Sequence, residues 1–284
     1  MSVSIKSEYL SAVISENGGE LTSLTAEGYE WLWTAEPVWQ RHAPLLFPFI
    51  CNTKSKGYTV NGVPYKLGNH GFARDSLFTV SEECESSARL TLCSSPETLA
   101  NYPYEFEFNV TYTAKGNTLS VQLEAENKGN EEMPFFVGGH PGFLCPFRAD
   151  DGGVFEDYDV VYEKPETVTQ ELDSGIHTVV ENGVAIPVTR ELFKNDVFMK
   201  DKPNSSSVSL VSRTSGRRVT VSYDNSGCIA VWSPYDDRAN FICLEPWASA
   251  PVYCCDTEEL TKMPHAIRIR PEEKYSFGFM IEIS

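Results

Sequence analysis

Residues 106–125 read FEFNVTYTAKGNTLSVQLEA, and this stretch decides the fold class. Apolar side chains occupy every second position on both sides of the central Lys-Gly-Asn. They are Phe106, Phe108, Val110 and Tyr112 before it, and Leu119, Val121, Leu123 and Ala125 after it. Alternation with period two is typical of a strand with one buried face. A short turn containing glycine between two such strands predicts a β-hairpin.

The same pattern recurs along the rest of the chain. Further strands are predicted at residues 10–15, 21–24, 208–210, 219–223, 228–233, 241–244 and 275–283. Turn signals lie at residues 17–19, 214–216 and 224–227, and the one fair helix candidate, residues 96–101, is short. Many short strands joined by Gly, Asn and Pro turns predict an all-β fold, either a sandwich or a barrel. No linker-like stretch divides the 284 residues, so we expect a single domain, 1–284.

The composition excludes some classes of partner. A formal net charge of −17 argues against nucleic acid and against anionic membranes, because both require surfaces of Lys and Arg. No apolar run is long enough to span a bilayer. The first residues, MSVSIKSEYLSAV, lack the continuous apolar segment of a secretory signal. These features predict a cytoplasmic protein, and they leave its oligomeric state open.

Eight cysteines are present, without a CxxC pair or a paired zinc spacing. Because no secretory signal is seen and the chain is long, we expect reduced thiols rather than disulfides. Most of these cysteines are expected to pack in the core.

Two of the five histidines have unusual neighbours. His70 lies in GNHGFARD (residues 68–75) and His140 in GGHPGF (residues 138–143). Glycine beside a histidine lets the backbone or a ligand approach closely. From these residues alone, a structural histidine in a tight turn is the favoured alternative.

Glu245 directly follows the apolar residues 241–244 and precedes Pro246. Partial burial there would raise its pKa, which suits a general base, although a side chain pointing into water is an equal alternative. Like Glu245, His140 directly precedes a proline, and the residue before proline is held extended. Both side chains are therefore expected at the ends of strands, with fixed orientations. Trp247 would hold the apolar face of a sugar, or pack in the core.

Other chemistries fit poorly. The chain has no GxGxxG fingerprint, P-loop, GxSxG elbow, HExxH or EF-hand loop. Two histidines and a glutamate are available, but they are dispersed, so neither a metal site nor a cofactor is predicted.

Several segments together carry a resemblance to a known family. They are ISENGGELTSL (14–24), YEWLWT (29–34), HAPLLFP (42–48), NHGFARD (69–75), GGHPGF (138–143), Asn195-Asp196 and LEPW (244–247). In their order and spacing the chain resembles the aldose 1-epimerase (galactose mutarotase-like) superfamily, LacX-like branch. The resemblance implies a large antiparallel β-sandwich of the galactose-mutarotase type. It also implies an enzyme that interconverts the α and β anomers of a free monosaccharide without a cofactor. It implies that His140 is the general acid for the ring oxygen, that Glu245 is the general base for the anomeric hydroxyl, and that His70 holds sugar oxygens.

The chain departs from the family at one position. After Phe47-Pro48, relatives usually place Gly-Arg, and here Asn52 occupies the arginine position, so the fork-like contact with sugar hydroxyls is lost. Lys54 or Arg74 would compensate. Arg74 is otherwise a structural partner of Asp75.

Asp196 falls near the position where relatives carry a substrate-contacting acidic residue. A loop aspartate that caps a turn is an equal alternative at this position.

Two other functions remain open at this stage. The altered position at Asn52 is compatible with a non-catalytic carbohydrate-binding or sugar-sensing protein on the same sandwich. The joint presence of His70, His140 and Glu245 favours the mutarotase, because a binding protein needs no acid–base pair. A glycoside hydrolase ranks last, since it needs two carboxylates that flank a bond and only one is well placed.

Overall fold

The structure is a computed structural model that describes residues 1–149, 153–172, 175–224 and 227–284. Its strands are β1 (Ser2–Lys6), β2 (Leu10–Ser15), β3 (Leu21–Ala26), β4 (Tyr29–Glu30), β5 (Leu45–Leu46), β6 (Tyr58–Val60), β7 (Val63–Tyr65), β8 (Thr79–Cys84), β9 (Ser87–Cys93), β10 (Phe106–Lys115), β11 (Thr118–Asn127), β12 (Met133–Phe135), β13 (Gly138–Gly139), β14 (Gly142–Leu144), β15 (Tyr158–Leu172), β16 (Gly175–Pro187), β17 (Phe198–Asp201), β18 (Ser207–Ser212), β19 (Arg218–Tyr223), β20 (Cys228–Trp232), β21 (Phe241–Trp247), β22 (Ile267–Ile269) and β23 (Lys274–Ile283). The helix α1 spans Pro96–Leu99, and short 3₁₀ turns cover Ala73–Asp75, Phe155–Asp157, Arg190–Phe193, Val252–Cys254 and Leu260–Lys262.

One large sheet dominates the molecule. Its strands lie in the order β5-β13-β21-β20-β17-β15-β18-β19-β23-β11-β10-β9-β8, and β14 pairs with β21 while β16 pairs with β15. Strands β1 to β4 form a second sheet in sequence order, and β12-β22 and β6-β7 are separate pairs. The strands of each sheet pair antiparallel. This arrangement confirms the predicted all-β fold, with one large antiparallel sheet and a second, smaller one.

The hairpin predicted from residues 106–125 is β10–β11. Val110 lies opposite Leu123, and the turn contains Gly116 with a φ of +56°, a conformation that favours glycine. The alternating apolar side chains of both strands are buried in the main core. The Tyr112 hydroxyl donates a hydrogen bond to the Gly19 carbonyl at 2.8 Å, which links the large sheet to the segment between β2 and β3. The two sheets therefore share one core.

The other predicted strands are present, with bounds that differ by a few residues. The helix is shorter than predicted and ends at Leu99. Asn225 and Ser226, in the predicted turn at 224–227, lie outside the described residues. The long β15–β16 pair was not predicted, because charged residues such as Glu163, Lys164 and Glu166 interrupt its apolar alternation.

No disulfide joins any of the eight cysteines, all of which lie among the described residues. Across the described ranges, no helix has the length and apolar character needed to cross a membrane. The cytoplasmic location and the single-domain organisation stay predictions.

Candidate active site

Glu245 lies inside a strand and not at the end of one. The expected strand end at Leu244 is wrong, since β21 continues to Trp247 and Glu245 pairs with Ala230 of β20. Pro246 is tolerated because its fixed φ suits an extended chain, and because β13 and β14 on the other side of β21 are only two and three residues long. There is no long ladder on that side for the proline to interrupt.

The register of the strands places His140 opposite Glu245. Gly138 of β13 pairs with Trp247, and Gly142 of β14 pairs with Cys243. His140 lies midway between the two glycines, just as Glu245 lies midway between their partners. Directly opposed residues on antiparallel strands project from the same face of a sheet. The Nε2 atom of His140 accordingly lies 3.2 Å from Oε2 of Glu245.

Small side chains on the same face leave room for a cavity. Gly138 and Gly142 flank His140 along the chain, and Ala230 lies beside Glu245. A Cβ atom added at Gly138 would lie 2.7 Å from Cδ1 of Trp247, so this position accepts no side chain without displacement of the indole. The resulting cavity has a volume of about 600 Å³. It is lined by Trp39, Cys51, Asn52, Asn69, His70, Arg74, His140, Asn195, Asp196, Val197, Met199, Trp232, Glu245, Trp247 and Tyr253.

Burial shapes the electrostatics of the opposed pair. His140 is 7% exposed and Glu245 is 1% exposed. Burial raises the pKa of Glu245 well above its ordinary value, the charge of Asp196 adds to this, and a hydrogen bond from Trp247 opposes it. Burial also lowers the pKa of His140, and the guanidinium groups of Arg74 and Arg41 add to that shift. Burial thus disfavours both charged forms.

Two atoms of the pair have unused hydrogen-bonding capacity. Nδ1 of His140 and Oε2 of Glu245 are buried and make no hydrogen bond to any described residue. The 3.2 Å contact between Nε2 and Oε2 is close, but it does not have the angles of a hydrogen bond. Buried polar atoms are normally satisfied, so unsatisfied ones in a cavity are typical of a site that binds a ligand.

His70 is held in a fixed tautomer. Its Nδ1 atom accepts a hydrogen bond from the backbone N–H of Cys51 at 3.0 Å, which leaves Nε2 as the protonated, donating nitrogen. Burial keeps the pKa of His70 well below its ordinary value, and His140 and Arg74 contribute in the same direction. Its backbone has a φ of +63°, and its ring is perpendicular to that of His140, with centroids 5.4 Å apart. The structure therefore places His70 beside the pair as a neutral donor.

Asn52 and Arg74 both line the cavity, but they differ in how far the protein itself uses their polar atoms. The Asn52 amide donates to the Leu67 carbonyl at 3.2 Å, and its oxygen accepts from the Thr53 amide at 2.9 Å. Asp75 is bound chiefly by Arg41, at 2.7 Å, while Nε of Arg74 lies 3.8 Å from it and has no hydrogen-bond partner among the described residues. Arg74 is thus the cavity's available guanidinium.

Asp196 and Trp247 also lie in the cavity wall. Asp196 has a φ of +72°, and its Oδ1 accepts a hydrogen bond from Nε1 of Trp232 at 2.7 Å. Trp247 lines the cavity, is 1% exposed, and acts to lower the pKa of Glu245. Its contact with a sugar stays a prediction.

Sequence reasoning missed the aromatic side of the cavity. The ring of Trp39 stacks on His140 with centroids 5.2 Å apart, and Trp232 approaches His140 edge-on at 5.6 Å. Both tryptophans are partly exposed, and Tyr253 joins them in the lining. The alternation in the predicted strand at 228–233 places Trp232 two residues from Ala230, which is a usable signal. Trp39 lies in a segment without periodicity, so the sequence gives no signal that it lines the cavity.

The fold is of the galactose-mutarotase type, as comparison with solved structures shows. A sequence model of the aldose 1-epimerase family matches residues 1–282. The chain belongs to the aldose 1-epimerase family.

Similar proteins include Protein LacX, chromosomal, of Lactococcus lactis subsp. lactis. It is 32% identical over 301 residues, which cover 100% of this chain and 99% of that protein. Among solved structures, a galactose mutarotase related enzyme from Lactobacillus acidophilus has 30% identity and a TM-score of 0.94, covering 100% of this chain and 97% of the other. A galactose mutarotase-like protein from Lactobacillus casei ATCC 334 has 26% identity, a TM-score of 0.90 and complete coverage of both chains.

Proposed function

We propose that this chain is an aldose 1-epimerase, a mutarotase that interconverts the α and β anomers of a free monosaccharide. The observation that carries the proposal is the 3.2 Å approach of the His140 imidazole to the Glu245 carboxylate in the wall of a cavity of about 600 Å³. Membership of the aldose 1-epimerase family supports an isomerase-type activity.

In the proposed reaction His140 is the general acid and Glu245 the general base. His140 gives a proton to the ring oxygen while Glu245 takes the proton of the anomeric hydroxyl, and the bond between C1 and the ring oxygen breaks. The resulting aldehyde rotates about its C1–C2 bond. When the hydroxyl formed from the ring oxygen closes on the opposite face of C1, it returns its proton to His140, and Glu245 gives its proton to the C1 oxygen, which forms the other anomer. A positioned acid or base typically contributes about 10²- to 10⁴-fold.

The pKa shifts fit a pair that shares one labile proton. Burial disfavours the imidazolium and the carboxylate alike, because it lowers the pKa of His140 and raises the pKa of Glu245. One proton held by His140 and not by Glu245 gives the pair the same net charge as the reverse arrangement. Sugar hydroxyls that hydrogen-bond the carboxylate favour its charged form, which prepares the acid and the base together.

The surrounding residues suit a neutral sugar. Nε2 of His70 would donate to a sugar oxygen, and the guanidinium of Arg74 would contact hydroxyls in place of the arginine that Asn52 replaces. Asp196 would accept from a hydroxyl, and the partly exposed faces of Trp39 and Trp232 suit the C–H face of a pyranose. Arg74 is the only lysine or arginine in the described lining, which disfavours sugar phosphates.

The test follows freshly dissolved α-glucose and α-galactose by NMR. The protein should speed equilibration beyond the buffer rate, and His140→Asn and Glu245→Gln should each lose at least about 10²-fold of that gain. Matched controls are His177→Asn and Glu272→Gln, both at exposed positions, which should leave the rate unchanged. Activity in both site variants equal to that of the parent would contradict the roles assigned here.

A non-catalytic sugar-binding protein is the second candidate, because the side chain of Asn52 is committed to the backbone where relatives carry an arginine. Calorimetric binding of a monosaccharide, with equilibration no faster than in buffer for a panel of aldoses, would favour that function over the mutarotase.

A further inference from the structure

Three potential metal ligands converge at one edge of the cavity, two of them in its lining and Cys243 in the core behind it. His140, Cys243 and Glu245 are buried, and one ligand atom from each lies within 4.8 Å of the other two. From the sequence, core packing is expected for most of the cysteines, and two histidines and a glutamate are dispersed along the chain. The strand geometry explains the cluster, since Cys243 and Glu245 are two residues apart on β21 and project from one face, with His140 opposite Glu245.

The cluster has donor capacity that the protein does not use. Nδ1 of His140 and Oε2 of Glu245 are buried without a hydrogen-bond partner among the described residues. Gly142, opposite Cys243, has no side chain, and a Cβ atom there would lie 3.3 Å from the Cys243 sulfur. The sulfur therefore borders the same face as the two unsatisfied groups.

The donor set selects a class of ion. Thiolate and imidazole favour zinc over the hard cations magnesium and calcium, and three protein ligands with an open fourth position are a common zinc arrangement. Zinc bonds of about 2.0–2.3 Å in tetrahedral geometry place donor atoms roughly 3.3–3.7 Å apart. The three ligand atoms lie within 4.8 Å of one another, so side-chain shifts of about 1 Å would bring them to these distances.

We propose that His140, Cys243 and Glu245 form an inhibitory binding site for a zinc-like divalent cation. The ion binds the Cys243 sulfur, the imidazole lone pair of His140 and the Glu245 carboxylate. The thiol proton and the carboxyl proton leave to solvent, and no redox change occurs. The bound ion removes the lone pairs that proton transfer needs and blocks the wall of the cavity, so it competes with sugar. The binding stands by itself, whereas the competition rests on the proposed mutarotase function.

Cobalt(II) gives a readout that is independent of activity. The parent for this experiment carries Cys84→Ser and Cys93→Ser, which remove the two exposed thiols that would bind metal adventitiously. Chelator-treated parent should bind one equivalent of Co²⁺ with a thiolate-to-cobalt charge-transfer band and tetrahedral ligand-field bands, and Zn²⁺ should displace them. Adding Cys243→Ser should abolish the charge-transfer band. Circular dichroism and a thermal melt check that this variant is folded.

A second variant protects the test if Cys243→Ser does not fold. Glu245→Gln retains the thiol but loses the anionic oxygen, and it should bind Co²⁺ at least about tenfold more weakly than the parent. Absence of the charge-transfer band in the folded parent, or its persistence in folded Cys243→Ser, overturns the proposal.

The activity measurement separates this proposal from the proposed function. In the parent, Zn²⁺ should slow anomer interconversion, and added sugar should relieve the inhibition. In Cys243→Ser the uninhibited rate should be retained, and at least tenfold more Zn²⁺ should be needed. A cobalt band in a protein without mutarotase activity supports the metal site and refutes the proposed function. An active protein without the band, or one that Zn²⁺ accelerates, refutes the inhibitory site.

Discussion

The indole Nε1 of Trp232 donates a hydrogen bond to Oδ1 of Asp196 at 2.7 Å. This bond joins β20 to the loop that precedes β17, and it fixes the carboxylate of Asp196 in the cavity wall although the residue has a φ of +72°. The side chain of Asp196 is therefore oriented toward the site and does not cap its own turn.

Trp232→Phe should weaken sugar binding while largely sparing the chemical step. The phenyl ring retains an aromatic face, but Asp196 no longer accepts the indole hydrogen bond, so its carboxylate is no longer held in a single orientation. A lost hydrogen bond of about 0.5–1.5 kcal/mol corresponds to a rise in KM of roughly two- to tenfold. Steady-state kinetics of anomer interconversion measure the change in KM, and Tyr235→Phe, at an exposed position, is the aromatic control. A fall in kcat at unchanged KM would contradict the assigned role.

His70→Ala should affect both stability and activity. It leaves the Cys51 amide without its 3.0 Å acceptor and removes the donor Nε2 from the cavity. Loss of the acceptor should cost about 1–3 kcal/mol in denaturant unfolding, and loss of a donor aimed at a reacting oxygen should cost about 10²-fold in kcat/KM.

His70→Asn is the matched comparison for that variant. Asparagine keeps an acceptor and a donor on a shorter side chain, so it should recover part of the stability but little of the activity. Equal activity in His70→Asn and the parent would show that the reach of the imidazole into the cavity is not used.

Many strands of this fold were predictable because the alternation of apolar and polar residues is visible in a short stretch of sequence. Alternation at residues 106–125 depends only on neighbouring positions, and the hairpin it predicted is β10–β11. The pairing of His140 with Glu245 depends instead on the register between β13, β14 and β21, which local sequence does not specify. The family resemblance supplied that pairing. The resemblance did not indicate that Cys243 lies next to the pair. That proximity arises because β21 continues through Pro246, so Cys243 and Glu245 project from the same face of one strand.

Asn52 and Arg74 should respond differently to truncation. The amide of Asn52 is committed to Leu67 and Thr53, so Asn52→Ala should lower the free energy of unfolding by about 1–2 kcal/mol and change KM little. Arg74 has an unsatisfied Nε atom at the cavity, so Arg74→Met should raise KM by about tenfold or more at similar stability. Thermal melts and kinetics on both variants measure this contrast. A larger KM effect in Asn52→Ala than in Arg74→Met would assign the sugar contact to Asn52.

Glu259, which does not line the cavity, makes the stability of the fold depend on pH in the acid range. Burial alone raises its pKa, but hydrogen bonds from Thr261, Thr59 and the amides of Asn61 and Gly62 outweigh burial and lower the pKa to about 2. These bonds tie the β6–β7 hairpin to the segment before the last 3₁₀ turn. Since the folded-state pKa is below the ordinary value of 4.5, the stabilisation is complete above about pH 4.5 and is lost as the pH falls toward 2.

Glu259→Gln should therefore be less stable than the parent at pH 7, by about 1–2 kcal/mol after allowance for solvent screening. The difference should shrink as the pH is lowered from 4.5 to 2, because the parent carboxylate then becomes protonated and loses the same advantage. Denaturant unfolding at several pH values measures both trends. Glu272→Gln, at an exposed position without these bonds, is the control and should run parallel to the parent at each pH. A stability difference for Glu259→Gln that stays constant between pH 7 and pH 2 would show that the charge of this carboxylate does not hold the hairpin.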